Sequence, residues 1–434
     1  MKKKVLKNSL YTITAGILLV FGSCNKEYVD PSRATEEEVF SSARGLTGVA
    51  VGLQRIYTNG QLGSLYNSIT ASGFLSNELF LVNSGQLPES QLNAGGGTVD
   101  GTNNIVARFW ENSNKVIYDA DLVISNSEKL ADKGYASGLI GYATIFKALA
   151  LGNLSTYWEQ IPAGTGENVT FIPRVEGFKK AIEAIDKALA AITATPISAS
   201  FLANIPPGTD IVNTLNALKA RYALSAGDYP VALSAASSVD LTKKSAFSFD
   251  AITPNTMYTI ISTNNFYQPI NNTTLGLPAG LEPDPADKRI EFYTLTVPAG
   301  TPTVRYKGFA IASDSQFPFY LPGEMSLIKA EVYARQTAPD LGKALEELNK
   351  VVTKTPAADP FGVGADLPAI VGPLNQQQLL DQIYKHRSIE MYMTGMRFED
   401  ARRLRPAAER KRNFLPYPFR ERDNNPNTPV DPSN

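Results

Sequence analysis

Apolar positions recur at helical spacing along most of the chain. Between Val39 and Tyr57 they fall at Val39, Leu46, Val49, Ala50, Leu53 and Ile56, which predicts one helix. The period returns in Phe109–Leu130 and again in Leu139–Trp158, where Leu139, Ala143, Phe146, Ala150 and Leu154 mark one face. In Phe178–Ile192, Phe178, Ile182, Ile185 and Leu189 oppose Lys179, Lys180, Glu183 and Lys187, the signature of a half-buried helix. Two later stretches follow one plan of helix, tight turn and helix: Leu215–Ser225 with Pro230–Val239, and Glu324–Arg335 with Leu341–Lys354. Two regions break the pattern. Residues 85–104 are rich in Gly, Asn and Thr, include Gly95-Gly96-Gly97, and predict loop. Residues 245–320 are rich in Thr, Asn, Pro, Tyr and Phe, with short strands expected only at Phe292–Val297 and Thr303–Ala310. A long irregular insert in a helical chain is where function is to be sought.

The stretch Leu224…Gly227-Asp228-Tyr229…Ala232-Leu233 resembles a tetratricopeptide-type hairpin, in which small residues let two helices approach closely. The second pair carries Ala344-Leu345 at the matching place, without a regular period, so these are degenerate repeats.

The first residues follow a different logic. Lys2, Lys3, Lys4 and Lys7 precede an apolar run, Tyr11–Phe21, of about a dozen residues, against the ~20 a spanning helix requires. Gly22-Ser23-Cys24 follows, and it resembles the lipobox of bacterial lipoproteins. That resemblance implies cleavage after residue 23 and lipid attachment at Cys24, with residues 24–38 as a polar tether. Cys24 is the chain's one cysteine, so no internal disulfide is possible.

Loss of residues 1–23 removes four lysines and no acids, taking the formal charge from −1 to −5. A mildly acidic chain is a poor partner for nucleic acid. The remaining ~410 residues, in a sequence 43% hydrophobic, suffice for a large core. One histidine, His386, leaves few transition-metal ligands and, as the one candidate base, little room for a Ser/His or Cys/His pair. The carboxylates Glu282, Asp284 and Asp287 suit Ca²⁺ as a structural ion at most, because no calcium-loop spacing is present. No acid pair marks a glycosidase, so the reading is non-enzymatic and without cofactor.

The last hundred residues carry the most specific motifs. They are Tyr320-Leu321-Pro322-Gly323-Glu324 running into Ala330-Glu331, then His386-Arg387-Ser388-Ile389-Glu390 with Gly395-Met396-Arg397-Phe398-Glu399-Asp400-Ala401-Arg402-Arg403-Leu404. Pro416-Tyr417-Pro418 and Asn425-Pro426-Asn427 close the chain. In order and spacing these resemble the SusD/RagB family of outer-membrane nutrient-binding lipoproteins. Trp110, Tyr118, Asp121, Tyr157-Trp158-Glu159-Gln160-Ile161-Pro162 and Asp287-Lys288-Arg289 extend the resemblance over the N-terminal half and the insert. His386 and Ala401 depart from the family's usual Glu and Leu.

The resemblance implies a mainly α, SusD-like scaffold of tetratricopeptide-like hairpins (about 39–244 and 321–412), a loop-rich insert (245–320) and a tail (413–434) in one domain, 39–434. It also implies a lipid-anchored protein on the outer membrane that captures an oligosaccharide and delivers it to a SusC-like TonB-dependent β-barrel. A peptide ligand, a scaffold without small ligand and an α-helical glycan hydrolase are the alternatives. Sugar rings stack on aromatic faces while amides and carboxylates bind hydroxyls. Candidate contacts are therefore Asn264, Asn265, Phe266, Tyr267 and Tyr293 in the insert, with Glu78, Phe80 and Asn93 as a second side. Arg387 with Glu390, and Arg397 with Asp400, stand three apart on one helix face and are expected to pair there, partly buried, in a structural role that fixes helix-to-helix geometry. The run Arg402, Arg403, Arg405, Arg410, Lys411, Arg412 is expected to be a solvated helix end.

Overall fold

The computed structural model describes residues 36–258, 267–269, 272–300 and 303–432. Cys24 and the tether lie outside them. Two short helices, α1 (Glu36–Ser41) and α8 (Ala199–Leu202), accompany the long ones that carry the architecture: α2 (Ala43–Thr58), α5 (Asn104–Ser127), α6 (Lys133–Tyr157), α7 (Arg174–Ala194) and α9 (Ile211–Ala226). Helix α6 packs on both α5 and α7, and α7 packs in turn on α9. Glycines on α6 set the closeness of this packing. A Cβ on Gly152 would stand 2.2 Å from the Tyr222 ring of α9, and one on Gly138 as close to Phe201.

The two hairpins follow in sequence. Helix α9 turns at Gly227, whose φ of +78° a side chain would strain, into α10 (Tyr229–Ser237). Helix α12 (Pro322–Arg335) turns into α13 (Leu341–Val352). Both second helices start on an aspartate cap: Asp228 accepts from the Val231 N–H and Asp340 from the Lys343 N–H, each cap contributing about 1 kcal/mol. The hairpins are joined by Arg221 of α9, whose Nε and Nη2 donate to the Glu324 carboxylate of α12 at 2.6 and 2.7 Å. Helices α14 (Gln376–Glu390) and α15 (Arg397–Leu404) complete the scaffold.

Several expectations change. Helix α3 (Ser64–Leu75) was not foreseen: all of its residues are buried, so no polar face interrupts the pattern. The segment 85–104 is not all loop, since α4 (Leu87–Ala94) begins there with proline in its first turn. In the insert, 288–293 forms α11 (Lys288–Tyr293). Strand β6 (Thr294–Thr296) then pairs antiparallel with β7 (Val304–Tyr306), and a 3-10 turn occupies 308–310. Strands β4 (Ala246–Phe247) and β8 (Phe317–Pro318) pair and bring the two ends of the irregular segment together. Among the described residues the remaining sheets are also two-stranded: β1 (Leu79–Leu81) with β5 (Tyr267–Pro269), and β2 (Gln160–Pro162) with β3 (Phe171–Pro173). No described helix is long and apolar enough to cross a membrane.

The terminal motifs hold distant segments together. The Trp158 indole donates to the Pro416 carbonyl at 2.9 Å, while Tyr417 Oη donates to the Gln160 carbonyl and accepts from its N–H. Trp110 packs edge-on to Trp158 and Tyr417 and donates to Glu421 at 3.0 Å. The Asn425 and Asn427 amides donate to the carbonyls of Val169 and Asn168, which fixes the loop before β3.

Candidate functional site

Pairing of β1 with β5 places the first irregular region against the insert, with Leu81 opposite Tyr267 and Phe80 opposite Gln268. The segments flanking these strands, Ser76–Asn77 and Thr274–Pro278, line a cavity of about 390 Å³. Its other walls come from Leu75, Tyr384, Phe398 and Ala401, with Arg405, Glu409, Arg410 and Arg412 supplying the charge. The volume suits a small-molecule site, and polar groups converge on it from three parts of the chain.

A buried ionic framework beneath the cavity sets its shape. Arg397, 2% exposed, donates Nη1 to the Leu275 carbonyl at 2.5 Å and Nη2 to the Ser388 carbonyl at 2.8 Å, with Nε 3.4 Å from Glu78. One guanidinium therefore ties the segment before β1 and the segment after β5 to α14. Glu78 also accepts from the Met393 N–H at 3.1 Å, and burial pushes its carboxyl up against the opposing pull of Arg397. Asp400 accepts from Arg387 at 2.9 Å and Arg403 at 2.7 Å. Burial pushes it up as well, but these two guanidiniums overcome that and hold it below the usual carboxylate range. Arg403 grips Glu331 of α12 through two bonds of 3.0 Å.

A second knot lies behind the first. Arg289 is bidentate on Asp287 at 3.0 and 2.7 Å and reaches Glu390 at 3.1 Å and His386 Nδ1 at 2.8 Å. Lys354 bridges Glu390 and Asp359, each at 2.6 Å. Burial, with Arg289 and Lys385 beside it, drives the His386 imidazole well below its ordinary value, so it stays neutral.

These contacts revise the expected pairings. Arg387 and Glu390 do not bond each other, nor do Arg397 and Asp400. Arg387 reaches across the turn after α14 to Asp400, Glu390 takes Arg289 and Arg397 takes Glu78, while Asp400 also holds Arg403, three residues on in its own helix. The basic run is not a solvated end. Arg412 is 5% exposed, and Arg402 and Arg403 are half-buried in ion pairs with Glu399, Glu331 and Asp400. Asp287 is occupied by Arg289, while Glu282 and Asp284 accept from backbone N–H groups nearby. No group of three metal-ligating side chains exists among the described residues.

The expected contacts distribute unevenly. Phe80 is 39% exposed on β1, and Asn93 is half-buried on α4. Glu78, 1% exposed, belongs to the framework, and Tyr293, fully buried, donates to the Glu390 carbonyl at 2.5 Å and packs on Tyr306 and Tyr392. Neither offers surface to a ligand. Tyr267 lies in β5, and Asn264, Asn265 and Phe266 fall outside the described residues. Sequence reasoning missed the cavity walls at 76–77, 274–278 and 405–412. The signal for the last was the basic run itself, read as solvated because acids interleave it.

No family model and no curated protein matches the sequence. Solved structures do. The chain is similar to a SusD superfamily protein from Bacteroides thetaiotaomicron at 15% identity and TM-score 0.69, over 90% of this chain and 100% of that one. It is similar to a SusD-like carbohydrate binding protein from Bacteroides fragilis at 15% identity and TM-score 0.66, over 84% and 86%. B. fragilis NanU aligns at 15% identity and TM-score 0.61, over 93% and 99%. The chain has a SusD-like fold.

Proposed function

We propose that this chain is a lipid-anchored outer-membrane protein that captures an oligosaccharide and passes it, unmodified, to a SusC-like TonB-dependent β-barrel. One observation carries the reading. In a fold whose solved relatives include carbohydrate-binding proteins, a cavity of about 390 Å³ opens where the insert meets the first irregular region, on a rigid ionic base. Rigid support lowers the ordering cost of binding. Ser76, Asn77 and Thr274 offer hydroxyl and amide groups for sugar hydroxyls, and Phe80 stands on the adjoining strand as an exposed ring. Among the described residues lining the cavity the one carboxylate is Glu409, which Arg405 grips bidentately.

A glycan array with the purified chain, followed by calorimetry on any bound glycan, tests this. Saturable binding without turnover is expected. A chain that binds peptides and no glycan, or that cleaves a glycan, defeats the reading. Anchoring is tested separately: Cys24→Ser is expected to abolish incorporation of labelled palmitate and release the protein from the membrane fraction. Co-purification of a β-barrel with the wild-type chain is the expected sign of the partner.

A further inference from the structure

The cavity's charge has a feature that the capture of a neutral sugar leaves unexplained. In the framework beneath it, Arg387, Arg397 and Arg403 each stand against a carboxylate. The segment Arg410-Lys411-Arg412 does not follow that rule. Arg412, buried, donates to the carbonyls of Gly96, Val99 and Phe414, and Lys411 Nζ donates to the Phe74 carbonyl at 2.7 Å. Arg410 has no ion pair among the described residues, and its Nε is shielded from solvent with no acceptor. Carbonyl acceptors satisfy hydrogen bonds but leave the charge uncancelled.

Among the described residues the cavity wall thus holds three arginines, Arg405, Arg410 and Arg412, against one acid, and the acid is spent. Glu409 is gripped bidentately by Arg405 at 2.8 and 2.9 Å, and Arg405 also reaches Asp381 at 2.9 Å. Asp431, the acid whose charge is felt at Arg412, pairs with Arg422 at 2.5 Å. Positive charge accumulates in this corner. Burial, against Glu399 and with Arg174 and Arg410 close by, pushes the Arg402 guanidinium down to about 10. The cavity's rings are partly occupied too: Arg405 lies over Tyr384 at 5.5 Å and Arg402 over Phe398 at 4.8 Å. Recognition here runs through charge and hydrogen bonds more than through ring stacking. A concave, half-apolar site focuses such a field on a bound anion, and a free guanidinium fork matches two oxygens of a carboxylate or of a tetrahedral oxyanion.

We propose that the cavity binds an anionic group of the glycan, a carboxylate or a sulfate ester, on Arg410, with buried Arg412 adding its uncancelled charge, so that the captured nutrient is an acidic oligosaccharide. This deepens the function proposed above and rests on it. A framework arginine cannot serve in this way because its partner is already built in. Arg410 is placed to serve, being half-buried at the cavity wall and unpaired among the described residues.

The test is an array of neutral, uronate-bearing, sialylated and sulfated glycans probed with the purified chain, then calorimetry at low and high salt on whatever binds. Binding confined to acidic glycans is expected, weakening with salt, and falling at least about tenfold in Arg410→Gln. The class retained, carboxylated or sulfated, names the anion. Arg410→Lys keeps the charge, loses the fork, and is expected to fall between the two; it decides the matter if Arg410→Gln melts early. Neutral glycans bound as well as acidic ones, or acidic binding unchanged in Arg410→Gln, overturns the inference and leaves sugar capture standing. A folded chain that binds no glycan, whether or not it takes acidic peptides, overturns the capture reading and this inference with it.

Discussion

Two groups of cations lie within thirty residues of each other in the C-terminal part of this chain and are treated in opposite ways. Arg387, Arg397 and Arg403, on α14 and α15, each face a carboxylate inside the core. Arg410, Lys411 and Arg412 follow the helix, and the described structure gives them carbonyls or nothing. Taking an ion into the core costs several kcal/mol unless a counter-charge and hydrogen bonds come with it. The first group has its counter-charge built in, so its charges fix geometry. In the second group Arg412 is buried on carbonyls, while Arg410 and Lys411 are half-exposed, where water or a visiting anion completes the shell. The difference separates the residues that hold the cavity open from those that face what enters it.

Removing a framework arginine should do the most damage. Arg397→Ala leaves Glu78 buried without its counter-charge and frees the Leu275 and Ser388 carbonyls. A loss of about 3–5 kcal/mol is expected in urea unfolding, together with loss of ligand binding, as the segments before β1 and after β5 come apart. A loss below about 1 kcal/mol would show that the framework is not what shapes the cavity. Close packing around the same network gives the next effect. A Cβ on Gly323 would stand 2.0 Å from the Glu390 Oε1, so Gly323→Ala must displace a carboxylate that Arg289 and Lys354 both hold. The expected cost is about 1–3 kcal/mol by the same measurement.

His386 probes the framework through pH. Its ring is buried beside Arg289 and its pKa lies below that of the unfolded chain, so the unfolded state takes up a proton first as pH falls. Stability is therefore full above the unfolded value of about 6.5 and declines below it, by at most about 1.4 kcal/mol per pH unit. The melting temperature should fall between pH 7 and pH 5, and His386→Gln should flatten that slope. An unchanged slope in the variant would place the titrating group elsewhere.

What the sequence disclosed follows from how each signal is written in it. Helices with one wet face, such as α5 and α7, were readable from periodicity to within a few residues. Helix α3 was not, because burial on all sides removes the polar half of the pattern. The arginine motif was visible as a motif, yet its partners were misassigned. Neighbours three apart on a helix were the only pairs that local geometry suggests, whereas the folded chain offers better acceptors from Asp400, Glu331 and Glu78 on other elements. Of the candidate contacts, the register of β1 with β5 sets the Phe80 and Tyr267 segments side by side. Glu78 and Tyr293 went inward because the core needed a charge partner and a ring there. The cavity itself was illegible, since its walls come from three stretches that only the tertiary fold assembles.

The smallest expected effect is the most discriminating. Arg410→Ala removes a side chain that makes no ion pair and no hydrogen bond among the described residues, so stability should change by less than about 0.5 kcal/mol. If anything the change should be stabilising, because the like charge near Arg402 disappears and the Arg402 guanidinium is relieved of one of the influences that lower it. A framework position cannot behave this way, and Arg397→Ala measured beside it supplies the contrast. If Arg410→Ala instead costs as much as Arg397→Ala, the two cation groups are one structural unit and the division between support and contact fails. If it costs nothing while ligand affinity falls, the corner at 410–412 is kept charged for what binds there.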